Sequence, residues 1–183
     1  MTMRRAGKNG EEADVRDVLD SIRRIVRLLR LSSREAEREV GLSGAQLFVL
    51  QKLSEAGMLS VNELADRTHT HQSSVSVVAQ ALVEKGLVAR ARAAADARRL
   101  ELTLTSAAKA LLRKAPGAAQ DKLIEALEKI PASTRKQLAK GLGQLVEEAG
   151  LGDEDPEMFD EAGAKGGKGA KGRAGRRQTA GAR

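Results

Sequence analysis

The hydrophobic period of this 183-residue chain changes twice, and that change constrains its fold more than any other feature. Up to Lys85, apolar side chains recur at spacings of three and four, the mark of helices that bury one face. From Leu87 the spacing becomes two. Leu87-Val88-Ala89-Arg90-Ala91-Arg92 and Leu100-Glu101-Leu102-Thr103-Leu104 read as paired strands joined across residues 93–99, too long a link for a tight turn. Beyond Thr105 the helical period returns and persists to about residue 149. The pattern predicts a mainly α fold that carries one small β-hairpin as a projecting wing.

Start and stop signals divide the helices. Val15, Val18, Leu19, Ile22, Ile25, Val26 and Leu29 form one stripe of a helix over residues 11–38, with Arg16, Arg23, Arg24, Arg27 and Arg30 on its other side. Such a helix is roughly 40 Å long, more than a small domain needs for its own core, so part of it is expected to pack on something outside. Gly41 ends it, and Ser43 caps a second helix over residues 44–56. Ser60 and Glu63 form a capping box for a short third helix in which Leu64 and Ala65 face inward. After the polar turn Thr68-His69-Thr70 comes a helix to Lys85 with the buried stripe Val75, Val78, Ala79 and Leu82, closed by Gly86. Thr105 or Ser106 caps the next helix, which Pro116-Gly117 disturbs. Pro131 opens the last, with Leu138, Leu142, Leu145 and Val146 on one face. The expected organisation is a disordered N-terminus (1–10), one domain (11–150) and a disordered tail (151–183), acidic and then basic. Within the domain a core over residues 42–105 lies between helical segments 11–40 and 106–149.

Composition narrows the function. The absence of Cys excludes disulfides, a thiolate zinc site and a cysteine redox switch. With no Trp or Tyr and two Phe, the core must be built from aliphatic side chains. The net charge of +7 belongs to the tail: residues 162–183 hold seven basic and no acidic residues, whereas residues 1–161 hold 25 of each sign. Any nucleic-acid binding by the folded part therefore depends on how its charges are arranged. No 18-residue apolar run and no signal-peptide pattern occur, so no membrane partner and a cytoplasmic location are expected. No Ser/His/Asp arrangement, phosphate-cradling glycine loop or His-carboxylate cluster suggests an enzyme, and no cofactor is expected. His69 and His71, at i,i+2 without a nearby ligand partner, make a poor metal site and read as polar turn residues near phosphate.

Three short helices followed by a hairpin make a winged helix-turn-helix. Its third helix can enter a major groove about 12 Å wide while the hairpin reaches the adjacent backbone or minor groove. Ser73, Ser76, Val77 and Gln80 point away from the buried stripe; Gln pairs with adenine, Ser reaches several base edges, and an exposed Val suits a thymine methyl. The expected DNA-contacting set is His71, Gln72, Ser73, Ser74, Ser76, Val77 and Gln80 from the helix, with Arg90, Arg92, Asp96, Arg98 and Arg99 from the hairpin.

These residues resemble the MarR family of bacterial regulators. The likeness runs through residues 42–50, Leu59-Ser60-Val61-Asn62-Glu63-Leu64-Ala65, Ser73-Ser74-Val75-Ser76 and Leu82-Val83-Glu84-Lys85-Gly86-Leu87-Val88. Its most specific piece is Asp96-Ala97-Arg98-Arg99 leading into Leu102-Thr103-Leu104-Thr105, similar to the family's wing signature. The resemblance covers about residues 12–149. It implies a homodimer with interlocked first and last helices, binding to pseudo-palindromic operators, usually as a repressor, and Arg98 in the minor groove with Asp96 holding the wing. It also implies a small-molecule effector, unidentified here, between the DNA-binding lobe and the dimer helices; the scarcity of aromatics argues against an aromatic-lined pocket. Ala108 stands where the family usually has Gly, and Val77 where it often has Arg, which removes a phosphate or guanine contact. Two other readings are an architectural DNA binder whose tail supplies most affinity, and a winged helix that binds protein instead of DNA.

Overall fold

The computed structural model describes residues 3–92 and 100–152, with side chains from Glu12 onward. Helix α1 (Met3–Val40) leads into α2 (Gly44–Ala56), strand β1 (Met58–Leu59), α3 (Val61–Thr68) and α4 (Gln72–Glu84). Strands β2 (Val88–Arg92) and β3 (Leu100–Leu104) follow, then α5 (Ser106–Leu112), α6 (Ala119–Lys129) and α7 (Ala132–Glu148). The expected mainly α architecture with a hairpin is what the chain adopts.

Helix α2 is the hub. Every residue from Gly44 to Leu50 is buried, so the helix has no solvent face over two turns. Phe48, Leu47, Leu50 and Leu53 meet Leu64 of α3, Val75, Val78 and Leu82 of α4, and Leu102 of β3 in one aliphatic core. Three helix starts near this core are closed by hydroxyls. Ser43 and Ser60 make full capping boxes with Gln46 and Glu63, and Thr105 accepts from the Ala108 N–H. Gly41 and Gly86 end their helices at φ +70°, the left-handed geometry that a Cβ disfavours. Lys52 braces α2 against α6 through Asp121 at 2.7 Å, while Gln51 donates to Pro116 O and accepts from Ala118 N–H. The Pro116 region is thus a complete break between α5 and α6, pinned to α2.

Two features depart from the expectation. Helix α1 begins at Met3, earlier than a start near residue 11 preceded by disordered residues 1–10. Extending an existing helix costs little, and Arg4, Arg5, Ala6 and Lys8 are good helix formers. Strand β1 was not anticipated: two residues carry no period of their own, and Met58 and Leu59 pair with Thr103 and Leu102 far along the chain. The sheet order is therefore β1-β3-β2. The apolar side chains of the N-terminal half of α1 and of α7 are uncovered, in line with the expectation that part of α1 packs on something outside. Val15 is 60% exposed, Leu142 is 45% exposed, and α7 has no buried residue.

Candidate nucleic-acid interface

Helix α4 buries the expected stripe of Val75, Val78, Ala79 and Leu82. The remaining circumference is set by that choice: Ser73, Ser76, Val77, Gln80 and Glu84 emerge on the outer side, with Val77 60% exposed. Ser74 is half-buried at the margin. Gln80 is not idle in this structure, since its Nε2 donates to Glu84 Oε1 at 2.9 Å. Glu84 was missed in the sequence reading. The i,i+4 spacing of an amide and a carboxylate on the exposed face was the available signal.

The start of α4 differs from the starts of its neighbours α2, α3 and α5. His71 occupies the N-cap in extended geometry, yet its side chain makes no capping hydrogen bond. The His71 side chain therefore leaves the N–H groups of Gln72 and Ser73 to water or an external acceptor, and the positive end of the helix dipole lies there. His71, Gln72 and Ser73 are all exposed around this end. The preceding turn is rigid. His69 sits in the left-handed region at φ 51°, Thr70 N–H bonds to Ala65 O, and Thr68 Oγ1 donates to Leu64 O at 2.8 Å.

The other end of α4 is anchored by a contact that no local pattern reveals. Lys85 Nζ donates to Gln46 Oε1 at 2.8 Å and to Gly41 O at 3.2 Å. Since Gln46 belongs to the capping box of α2, this one ammonium ties the helix to the α1–α2 turn. Thr105 Oγ1 donates to Gly86 O, joining the same end to the foot of the hairpin.

In the hairpin, Arg90 pairs with Leu102 and Arg92 with Leu100. Cross-strand partners share a face, and successive residues alternate. Arg90 and Arg92 therefore lie on the face that buries Val88 and Leu102, and that packs on α2 and α4. The hairpin outruns the core, so these arginines are exposed on the α4 side of the sheet. Asp96, Arg98 and Arg99 lie outside the described residues, as does the tail from residue 153. The described residues thus place His71, Gln72, Ser73, Ser76, Val77 and Gln80 on one outward surface, with Arg90 and Arg92 on the adjoining strand. Among the described residues no group of His and carboxylates is arranged to hold a metal ion.

A capped three-helix core, an outward third helix and a hairpin packed against it define a winged helix-turn-helix. Residues 40–99 match the MarR family. The HTH-type transcriptional repressor MdtR of Bacillus subtilis is 34% identical over 89 residues, which are 49% of this chain and 57% of that repressor's length. Over this winged-helix segment the chain is similar to the MarR family, and it spans little more than half the length of the curated relative it matches.

Two solved structures share the fold. A MarR family regulator from Streptomyces coelicolor, in complex with DNA, aligns with TM-score 0.53 and 24% identity over 75% of this chain and 88% of its own. A mutant MarR from E. coli complexed with operator DNA aligns with TM-score 0.51 and 20% identity over 74% and 96% of the respective chains.

Proposed function

We propose that this protein is a sequence-specific DNA-binding transcriptional regulator, a repressor working as a homodimer on a pseudo-palindromic operator. The observation that carries the reading is the surface of α4. A helix start without a side-chain cap, suited to a phosphate, leads into a row of Ser, Val and Gln side chains suited to base edges. Arg90 and Arg92 add cations on the adjoining strand, and Arg98 at the wing is assigned to a minor groove. The curated relative is itself a repressor, and both structural neighbours named above were solved with DNA.

The dimer follows from the uncovered apolar residues of α1 and α7, which single helices in water do not retain without a partner. Light scattering should report twice the 19.5 kDa chain mass. No described helix is long and apolar enough to cross a membrane. We assign the protein to the cytoplasm, on the nucleoid when DNA-bound, with an unidentified small molecule as its effector.

The deciding experiment is selection of duplexes from a random pool by the full-length chain. A palindrome with half-sites about 10 bp apart, one helical turn, is the expected result. A featureless pool would overturn specific recognition in favour of an architectural binder, and failure to retain duplex would favour a protein-binding winged helix.

A further inference from the structure

Helices α1 and α4 are joined through α2. Helix α1 packs on α2 and α6, and α4 packs on α2, α3 and β2. The packing is aliphatic: Ala36 enters the core from α1, and Val75, Val78 and Leu82 enter it from α4. Apolar burial is non-directional, and the crossing angles of packed helices scatter by about 15–20°. Packing therefore holds α1 and α4 to one hub without setting the angle between them.

Hydrogen bonds do have direction. Lys85, the C-cap of α4, donates from Nζ to Gln46 Oε1 at 2.8 Å and to Gly41 O at 3.2 Å. Gly41 closes α1 and Gln46 lies in the first turn of α2, so one ammonium bridges the ends of three helices. The Gln46 acceptor depends on it. Gln46 is 6% exposed, and the other bond to its Oε1, from the Ser43 N–H, is long at 3.4 Å. Without the ammonium, a buried oxygen would keep only that longer bond, an unfavourable state.

We propose that Lys85 is a positioning residue: by fixing the angle between α4 and α1, it sets the half-site spacing that the dimer accepts. The inference rests on the dimeric, operator-reading function proposed above, and it gives Lys85 no contact with DNA. Leverage makes the angle matter. From Gly41 back to Val15, in the uncovered stripe, α1 runs roughly 39 Å. A rotation of about 5° at the α1–α2 turn displaces Val15 relative to α4 by about 3.4 Å, the rise of one base pair. The two-fold axis of a dimer repeats the error at the other half-site.

The test uses full-length protein and the palindrome selected from the random pool, rebuilt with its half-sites one base pair closer and one base pair further apart. Wild-type protein should bind the selected spacing about ten-fold or more tighter than either neighbour, the penalty of one misplaced base pair. In Lys85→Met that ratio should fall below about three-fold, with the preference for half-site bases over scrambled ones unchanged. Lys85→Arg, whose guanidinium can donate to both oxygens, should restore it. Gln46→Glu keeps the capping box and gives the ammonium a charged acceptor, so it should widen the ratio. It decides the matter if Lys85→Met fails to fold, since an unchanged ratio there overturns the inference. Retention of the full ratio in folded Lys85→Met would overturn it too. So would equal weakening at all three spacings with a salt slope reduced by about 0.9, which would make Lys85 a phosphate contact. If the wild type reads the half-site bases but accepts all three spacings alike, the inference fails and the proposed function stands. If it ignores the bases as well, both fail.

Discussion

Helices α2 and α7 have similar numbers of large apolar side chains, yet opposite fates. From Gly44 to Leu50 nothing on α2 reaches solvent, whereas nothing on α7 is buried. The same contrast divides α1, whose C-terminal Leu29, Ser33 and Ala36 enter the core while Val15, Val18 and Leu19 remain outside. An apolar stripe announces that some surface will cover it; it does not say whose. In the winged helix the cover comes from elements of the same chain, whereas among the described residues nothing covers the apolar side chains of α7 or of the N-terminal half of α1, the surface given to the proposed dimer. The first region governs whether the chain folds; the second is where the proposed dimer is to be tested.

Five results would break or sharpen this contrast. The largest is Phe48→Ala, which should cost about 3–5 kcal/mol of unfolding free energy in urea. Leu142→Ala, at 45% exposure, should change the stability of dilute, monomeric protein by no more than about 0.5 kcal/mol. Equal losses at both positions would mean that α7 is part of the folding core. Next, Leu138→Glu with Leu142→Glu should convert the dimer to a folded monomer whose melting temperature no longer depends on concentration. An undisturbed dimer would place the interface elsewhere.

Within the winged helix, Gln80→Ala should cost about 1–3 kcal/mol of discrimination between operator and scrambled duplex, read by titration of both. Loss of affinity for both duplexes alike would make Gln80 a positioning contact instead of a reader. Arg90→Ala should instead weaken all duplexes and reduce the slope of log K against log salt by about 0.9.

The smallest effect concerns Lys52. Burial lowers its pKa, but the hydrogen bonds to Asp121 and Glu55 outweigh that cost, and the value is raised above that of an ordinary lysine. A raised lysine contributes stability that is fully present below the unfolded-state pKa and disappears as pH rises through the folded one. Lys52→Met should therefore lower stability slightly at neutral pH, where the contribution is fully present, and flatten the alkaline limb of a stability–pH curve. An unaltered alkaline limb would show that the α2–α6 brace adds nothing.

Much of the framework was legible because its signals are local. Ser43, Ser60 and Thr105 cap the helices they precede, Gly41 and Gly86 close the ones they follow, and the three-four spacing of α4 names its buried face. That face in turn leaves Ser73, Ser76, Val77 and Gln80 outside, so the candidate site on the helix was readable before any coordinates. The interactions that escaped are those between distant positions. Strand β1 exists only because β3 passes beside it, and Lys85 reaches Gln46 and Gly41 across about 40 residues of sequence. Buried Gln120, whose amide has no hydrogen-bond partner among the described residues, is equally invisible from its neighbours in the chain.

What the amino-acid sequence determined by itself is which faces are apolar, where helices begin and end, and where the period turns to that of a hairpin, since each depends on residues within one or two turns of one another. The tertiary structure alone decided which apolar faces find cover, that Arg90 and Arg92 stand on the α4 side of the sheet, and how the end of α4 is pinned. Those outcomes depend on which distant surfaces meet, and meeting is a property of the packed chain as a whole.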